Sequence, residues 1–165
     1  MRVVGIGTDA TEIGRVVRLY ERHPETFLSR VFTPHEQEYC RSRVRGFGES
    51  LAARWAAKEA VMKALGTGWN KGVAWTDIEI RSQPTGKPEL ALSGGAKRVA
   101  DSLGVVEWQI SITHCKTLAI AFVVASAQDE RPRESGRLRS SRQPRRWKKW
   151  LRNRSKTAVG QKKAS

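Results

Sequence analysis

The 165-residue sequence predicts an α+β fold: one domain in which an antiparallel sheet packs with a long buried helix, followed by a basic, disordered C-terminal tail. Three observations carry this expectation. The order of patterns is one strand, then helices, then mostly strands, which is the order of an α+β chain rather than of repeated βα units. The segment from Glu49 to Leu65 is small or apolar nearly all round, as a helix is when it is buried on several sides. The segments Glu107 to Thr113 and Lys116 to Ala125 have strong strand patterns, and they are joined only through His114-Cys115-Lys116, which reads as an antiparallel hairpin.

Charge divides the chain. It carries 31 Lys and Arg against 16 Asp and Glu, a formal net charge of +15. Residues 128–165 hold 14 of the basic and 3 of the acidic residues, net +11, which leaves +4 for residues 1–127. The expected division is therefore a domain over 1–127 and a basic tail over 128–165 with too few aliphatic residues to hold a core. The body is long enough to close one core without staples. Two cysteines, Cys40 and Cys115, make no disulfide framework and point to a reducing, cytoplasmic setting. The longest apolar stretch, Leu118 to Ala127, falls far short of the roughly 20 residues of a membrane helix. The amino terminus lacks a charged leader ahead of a long apolar run, which argues against secretion.

Arg2 to Gly7 reads as a buried strand entering a glycine turn, with Thr8 to Thr11 offering caps for a helix from Glu12 to Arg22. In that helix Arg15, Arg18 and Arg22 share one face. Thr33-Pro34-His35-Glu36 has the form of a capping box with proline at the first helical position, opening a helix to about Arg43. The long helix ends at Gly66-Thr67-Gly68. It carries Arg54, Lys58, Glu59 and Lys63 among alanines, and buried charges of this kind need partners. Trp75 to Arg81 alternates as a strand, Pro84 to Pro88 is a turn, Glu89 to Leu92 is a short strand, and Ser93 to Leu103 is a helix stopped by Gly104.

Several residues stand out chemically. Gly5-Ile6-Gly7-Thr8-Asp9-Ala10 matches a dinucleotide fingerprint, but the second strand and acidic residue that fingerprint requires are missing from His23 to Leu28. Asp9 is then either a helix cap or a carboxylate for Mg²⁺, which in turn holds phosphates. Glu59 and Lys63, four residues apart, are either an exposed ion pair or a buried carboxylate and ammonium suited to a metal and an anion. Asp9 and Glu59 together match the one or two carboxylates that Mg²⁺ usually takes from a protein. His114 at a hairpin tip reads alone as a surface histidine more readily than a catalytic one. Cys40 and Cys115 lack zinc-type spacing and read as small, half-buried residues.

Taken in order, GIGTDATEIGRV (5–16), RVFTPHE (30–36), LAARWAAKEAVMKALGTG (51–68), DIEI (77–80), TGKPEL (85–90) and ISITHCKTLAIAFVVA (110–125) resemble the holo-acyl-carrier-protein synthase family of 4′-phosphopantetheinyl transferases. The resemblance covers about residues 2–126. It implies transfer of the 4′-phosphopantetheine arm of coenzyme A to a serine of apo-acyl carrier protein. The released product is adenosine 3′,5′-bisphosphate, Mg²⁺ is required, and the activity supports fatty acid biosynthesis. It makes Asp9 and Glu59 metal ligands and places Lys63 near the coenzyme A phosphates. Arg54, Gly66, Gly68 and His114 become further nucleotide contacts, and Arg15 faces the acidic carrier protein. It also implies a homotrimer with sites between subunits.

The residues agree with that chemistry. Displacement at phosphorus by an alcohol rests on positioning and charge neutralisation. Glu59, acting through a metal-bound water, is the first choice to take the serine proton, and His114 the second. The Arg15, Arg18, Arg22 face would draw an acidic helical partner in a salt-dependent way, although any solvated helix shows such a stripe. A competing reading makes the protein a binding module. In it, Arg145 to Arg154, with Trp147 and Trp150, contacts nucleic acid or an anionic membrane surface.

Overall fold

The computed structural model describes residues 1–68 and 72–129. The expectations for the basic tail, including Trp147 and Trp150, lie outside them. Twelve elements follow in order: β1 (Arg2–Glu12), α1 (Ile13–Arg22), α2 (Pro24–Val31), α3 (Pro34–Ser42), a 3₁₀ turn (Val44–Gly46), α4 (Phe47–Ala64), a second 3₁₀ turn (Trp75–Asp77), β2 (Ile78–Ser82), β3 (Pro88–Leu92), α5 (Gly94–Ser102), β4 (Val105–His114) and β5 (Leu118–Ala127). β1, β5 and β4 form one antiparallel sheet with β5 in the middle, while β2 and β3 pair as a separate hairpin. The α+β expectation holds, with two sheets in place of one.

α4 is the centre of the molecule and lies against β1 and β5. The face of β5 turned toward it carries Ala119, Ala121, Val123 and Ala125, all fully buried. Small residues on a strand let a helix backbone come close. The C-terminal half of α4 shares one core cluster with Ile78, Ile80 and Ala96. Its N-terminal half shares another with Val16 of α1, Leu28 of α2 and Cys40 of α3.

β1 corrects the expected glycine turn. The strand runs unbroken through Gly5-Ile6-Gly7 to Glu12. Neither glycine has a positive φ; what the position demands is the absence of a side chain. A Cβ on Gly5 would stand 2.0 Å from the Ala64 carbonyl oxygen, and one on Gly7 would stand 1.8 Å from that of Ala60. Every second residue of β1 thus meets every fourth of α4, the two periods of strand and helix. Asp9 is a strand residue opposite Ala121, so the capping alternative fails. α1 begins at Ile13 with no side-chain cap.

Other boundaries moved for local reasons. α2 was not expected; Pro24 stands at its first position and Glu25 in its first turn, both favourable at a helix start. Trp75 to Asp77 is a 3₁₀ turn rather than strand, because the Asp77 carboxylate accepts hydrogen bonds from the Ala74 and Gly95 amides at 3.0 and 2.8 Å. The Thr33–Glu36 capping box forms as expected. At the end of α4, Gly66 has φ +68°. The Gly66 amide donates to the Lys63 carbonyl and the Thr67 amide to the Met62 carbonyl, which is a Schellman closure.

The buried charges of α4 find their partners. The Lys58 ammonium lies 2.7 Å from Glu36 Oε2, and neither side chain is exposed to solvent. Lys58 also donates to the carbonyls of Trp75 and Ile78, and Glu36 accepts from the amides of Thr33 and Ile80 at 2.9 and 3.0 Å. Burial holds the Lys58 pKa below its usual value, against the opposing charge of Glu36.

Candidate active site

Because Gly5 and Gly7 press β1 onto α4, the next inward residue, Asp9, arrives beside the charged edge of that helix. Lys63 Nζ lies 2.9 Å from Asp9 Oδ1 and 2.9 Å from the Thr8 carbonyl oxygen. Thr11 donates its hydroxyl to Asp9 Oδ2 at 2.6 Å. Lys63 thus pairs with Asp9 across the fold, and not with Glu59 along the helix as an exposed i, i+4 pair would.

Glu59 lies one turn before Lys63 and is half-buried. Its pKa is raised, first by burial and then by the Asp9 charge, with Lys63 and Arg15 opposing. Two carboxylates close enough to repel each other, one of them partly withdrawn from water, form an oxygen donor set that a small hard cation relieves. Among the described residues no three His, Cys, Asp or Glu side chains cluster as a metal site, so a cation here would take a carboxylate pair and complete its shell with water or phosphate. That is the habit of Mg²⁺, and the residues fit it.

Glu59 also lines a cavity of about 560 Å³ with Arg15, Arg30, Trp55 and Trp75. Trp55 and Trp75 lie 4.5 Å apart between centroids, and Phe27 stacks on the outer side of Trp55 at 5.7 Å. Arg15, Arg18 and Arg22 are all exposed on α1, as the spacing predicted, and Arg15 is the one that reaches Glu59.

Arg54 and His114 occur together elsewhere. Arg54 lies five residues before Glu59, about 140° round the helix. It lines a second cavity of about 200 Å³ with Ser82, Gly86, Tyr39 and His114. A neighbouring cavity of about 510 Å³ is lined by Arg43 and Arg45, and the two cavities share Tyr39, Glu49, Ser50 and His114. The Arg54 guanidinium lies 3.8 Å from the Tyr39 ring centroid and donates to Ser82 Oγ at 3.3 Å, while its Nε is buried without a partner. Tyr39 titrates below an ordinary phenol: burial pushes it up, but hydrogen bonding with Ser82 and Arg43 and the nearby guanidinium charges outweigh that.

The candidate residues therefore fall into two groups. Asp9, Glu59, Lys63 and Arg15 surround one locus; Gly66 and Gly68 follow Lys63 at the end of α4. Arg54 and His114 belong to the other. Trp55 and Tyr39 had no clear signal, because each has the spacing of an ordinary core aromatic. Cys40 is fully buried and Cys115 exposed, so neither is half-buried; burial pushes the Cys40 thiol up to about 11.

Comparison with known proteins decides the family. The sequence model of the 4′-phosphopantetheinyl transferase superfamily matches residues 5–123. The chain belongs to that superfamily. One relative within it is the holo-[acyl-carrier-protein] synthase of Solibacter usitatus, 47% identical over 122 residues, 74% of this chain and 97% of that protein. The crystal structure of Helicobacter pylori holo-[acyl-carrier-protein] synthase in complex with coenzyme A superposes with a TM-score of 0.65 at 34% identity, covering 73% of this chain and 99% of that one. The Bacillus anthracis synthase, in complex with CoA (3′,5′-ADP), gives 0.64 at 33% identity over 78% of this chain and 100% of that one. No helix among the described residues is long and apolar enough to cross a membrane.

Proposed function

We propose that this chain is a holo-acyl-carrier-protein synthase. In this reading it transfers 4′-phosphopantetheine from coenzyme A to a serine of apo-acyl carrier protein and releases adenosine 3′,5′-bisphosphate. The observation that carries the reading is the placement of Asp9, Glu59 and Lys63 at one locus in a transferase-superfamily fold.

The chain's own residues divide the work. The serine oxygen forms a bond to the phosphorus of the phosphopantetheine, the bond to the bridging pyrophosphate oxygen breaks, and charge builds on the leaving phosphate. Asp9 and Glu59 would hold Mg²⁺, which supplies charge neutralisation to pyrophosphate oxygens when bound. Lys63, anchored on Thr8 and Asp9, stands ready to exchange those contacts for a phosphate oxygen. Glu59, with its raised pKa, is the group that accepts the serine proton, directly or through one water. His114 shares one cavity with Arg54 and does not line the one beside Glu59, and we assign it with Arg54, and with the Gly66 and Gly68 turn near Lys63, to the nucleotide.

The cavity beside Glu59 suits the carrier protein. Arg15 at its rim, continued by Arg18 and Arg22 along α1, would attract an acidic helix, and Trp55 and Trp75 offer apolar surface next to the reacting groups. The open face of the three-stranded sheet supports assembly as a homotrimer. In this reading the transferase domain spans 1–127 and works in the cytoplasm, and 128–165 is a basic extension of it.

The test is mass spectrometry of apo-acyl carrier protein incubated with coenzyme A, Mg²⁺ and the full chain. The carrier gains one phosphopantetheine. Asp9→Ala and Glu59→Ala each lower the rate by at least about 100-fold. An unmodified carrier overturns the function; full activity in both variants overturns the assignment of the two carboxylates.

A further inference from the structure

Arg54 is the least satisfied charged group in the described fold. Only 5% of it is exposed. A guanidinium offers five N–H donors, yet the described contacts are one bond to a neutral hydroxyl and a buried Nε with no acceptor. A buried cation in that condition is costly unless an anion completes it. What fixes it is the Tyr39 ring, 3.8 Å from the guanidinium carbon. Stacking on an aromatic face holds the plane of an arginine while leaving its N–H edge free. The same ring serves Arg43, whose Nη2 donates to the Tyr39 hydroxyl at 3.0 Å. Tyr39 is also part of both cavities: Arg54 lines the smaller and Arg43 the larger.

We propose that Tyr39 is a positioning residue that holds Arg54 and Arg43 edge-on toward a phosphate monoester bound between the two cavities. The proposal rests on the coenzyme A reading, which supplies such a group. Coenzyme A carries a pyrophosphate and one monoester. A carboxylate pair meets phosphate only with a cation between them and so suits the pyrophosphate. Arg43, Arg45 and Arg54 line the two cavities against one carboxylate, Glu49, and that excess of guanidinium charge suits a terminal dianion with three free oxygens.

The experiment titrates the full chain with adenosine 3′,5′-bisphosphate and, separately, with adenosine 5′-monophosphate by calorimetry. The unmodified chain binds the bisphosphate more tightly. Tyr39→Leu weakens the bisphosphate about tenfold, the loss implied by removing a desolvated cation–aromatic contact, and changes the monophosphate by less than about twofold. Tyr39→Phe keeps the ring and retains the preference. In the transfer assay Tyr39→Leu raises KM for coenzyme A but not for 3′-dephospho-coenzyme A, with kcat unchanged. If Tyr39→Leu does not fold, Tyr39→Met, which keeps the volume without the ring, takes its place. A chain that does not discriminate the two nucleotides, or a variant that weakens both equally or lowers kcat alone, overturns the proposal. A chain that binds as stated but leaves the carrier unmodified overturns the transferase reading and leaves the role of Tyr39 supported.

Discussion

Glu59 is a side chain whose surroundings disfavour its bare negative charge. Its folded pKa is raised above the ordinary value of 4.5 by burial and by Asp9. The folded state therefore holds the proton more tightly than the unfolded state does. The sign follows: this group favours the fold as pH falls through its folded pKa, and the metal-free protein gives up that contribution above it. Glu59→Gln imitates the protonated form. Without metal the variant should have the higher Tm at neutral pH, and the gap should close as pH falls toward 4.5. Mg²⁺ should raise the Tm of the unmodified chain and not of the variant. Scanning fluorimetry across pH checks both, and a gap independent of pH would sink the account. Glu59 and Lys63 stand out in the sequence as charges among alanines, and Asp9 as a carboxylate just after Gly5-Ile6-Gly7. Tyr39 was not, since its importance comes from Arg54, fifteen positions away, and from no local pattern.

At the scale of elements, the strand–helix contact decides where the site is. Two glycines between a strand pattern and cap-forming residues read as a turn, and the fold uses them to bring backbone onto backbone. Propensity along the chain does not report a neighbour more than 50 residues away, so the true extent of β1 was hidden. The alanine-rich face of α4 was visible, and in retrospect the two belong together: small residues on the helix matched by glycine on the strand. Gly7→Ala tests this. Its Cβ would meet a carbonyl oxygen of the helix backbone, which cannot turn aside as a flexible side chain would. The loss of stability should exceed about 3 kcal/mol, at the upper end of overpacking, measured by chemical denaturation. A loss near 1 kcal/mol would mean that β1 and α4 can separate cheaply. Metal affinity should fall with it, because Asp9 rides on the same strand.

Over the whole molecule, one sheet face carries α4 and the other carries nothing among the described residues. On that outer side Ile6, Ile120 and Phe122 are 59%, 40% and 47% exposed, and the register sets Thr8 against Phe122 and Ala10 against Ile120. A contiguous apolar strip is uncommon on a monomer. If the proposed homotrimer forms through this face, substituting Ile120→Glu and Phe122→Glu together should give single chains by light scattering, with helix and strand content retained. An unchanged mass would remove this face from the interface. The fold class and most elements were readable from periodicity; which strand lay in the middle of the sheet was not, because β1 and β5 meet across more than 100 residues. The Glu36–Lys58 junction has a consequence at this scale. It gathers α3, the middle of α4 and the start of β2 onto two buried charges, neither of which tolerates losing the other. That corner can therefore be closed or open but not partly open. The amides of Thr33 and Ile80, distant in sequence, should exchange with solvent in the same rare opening, as one cooperative unit reaching to α4.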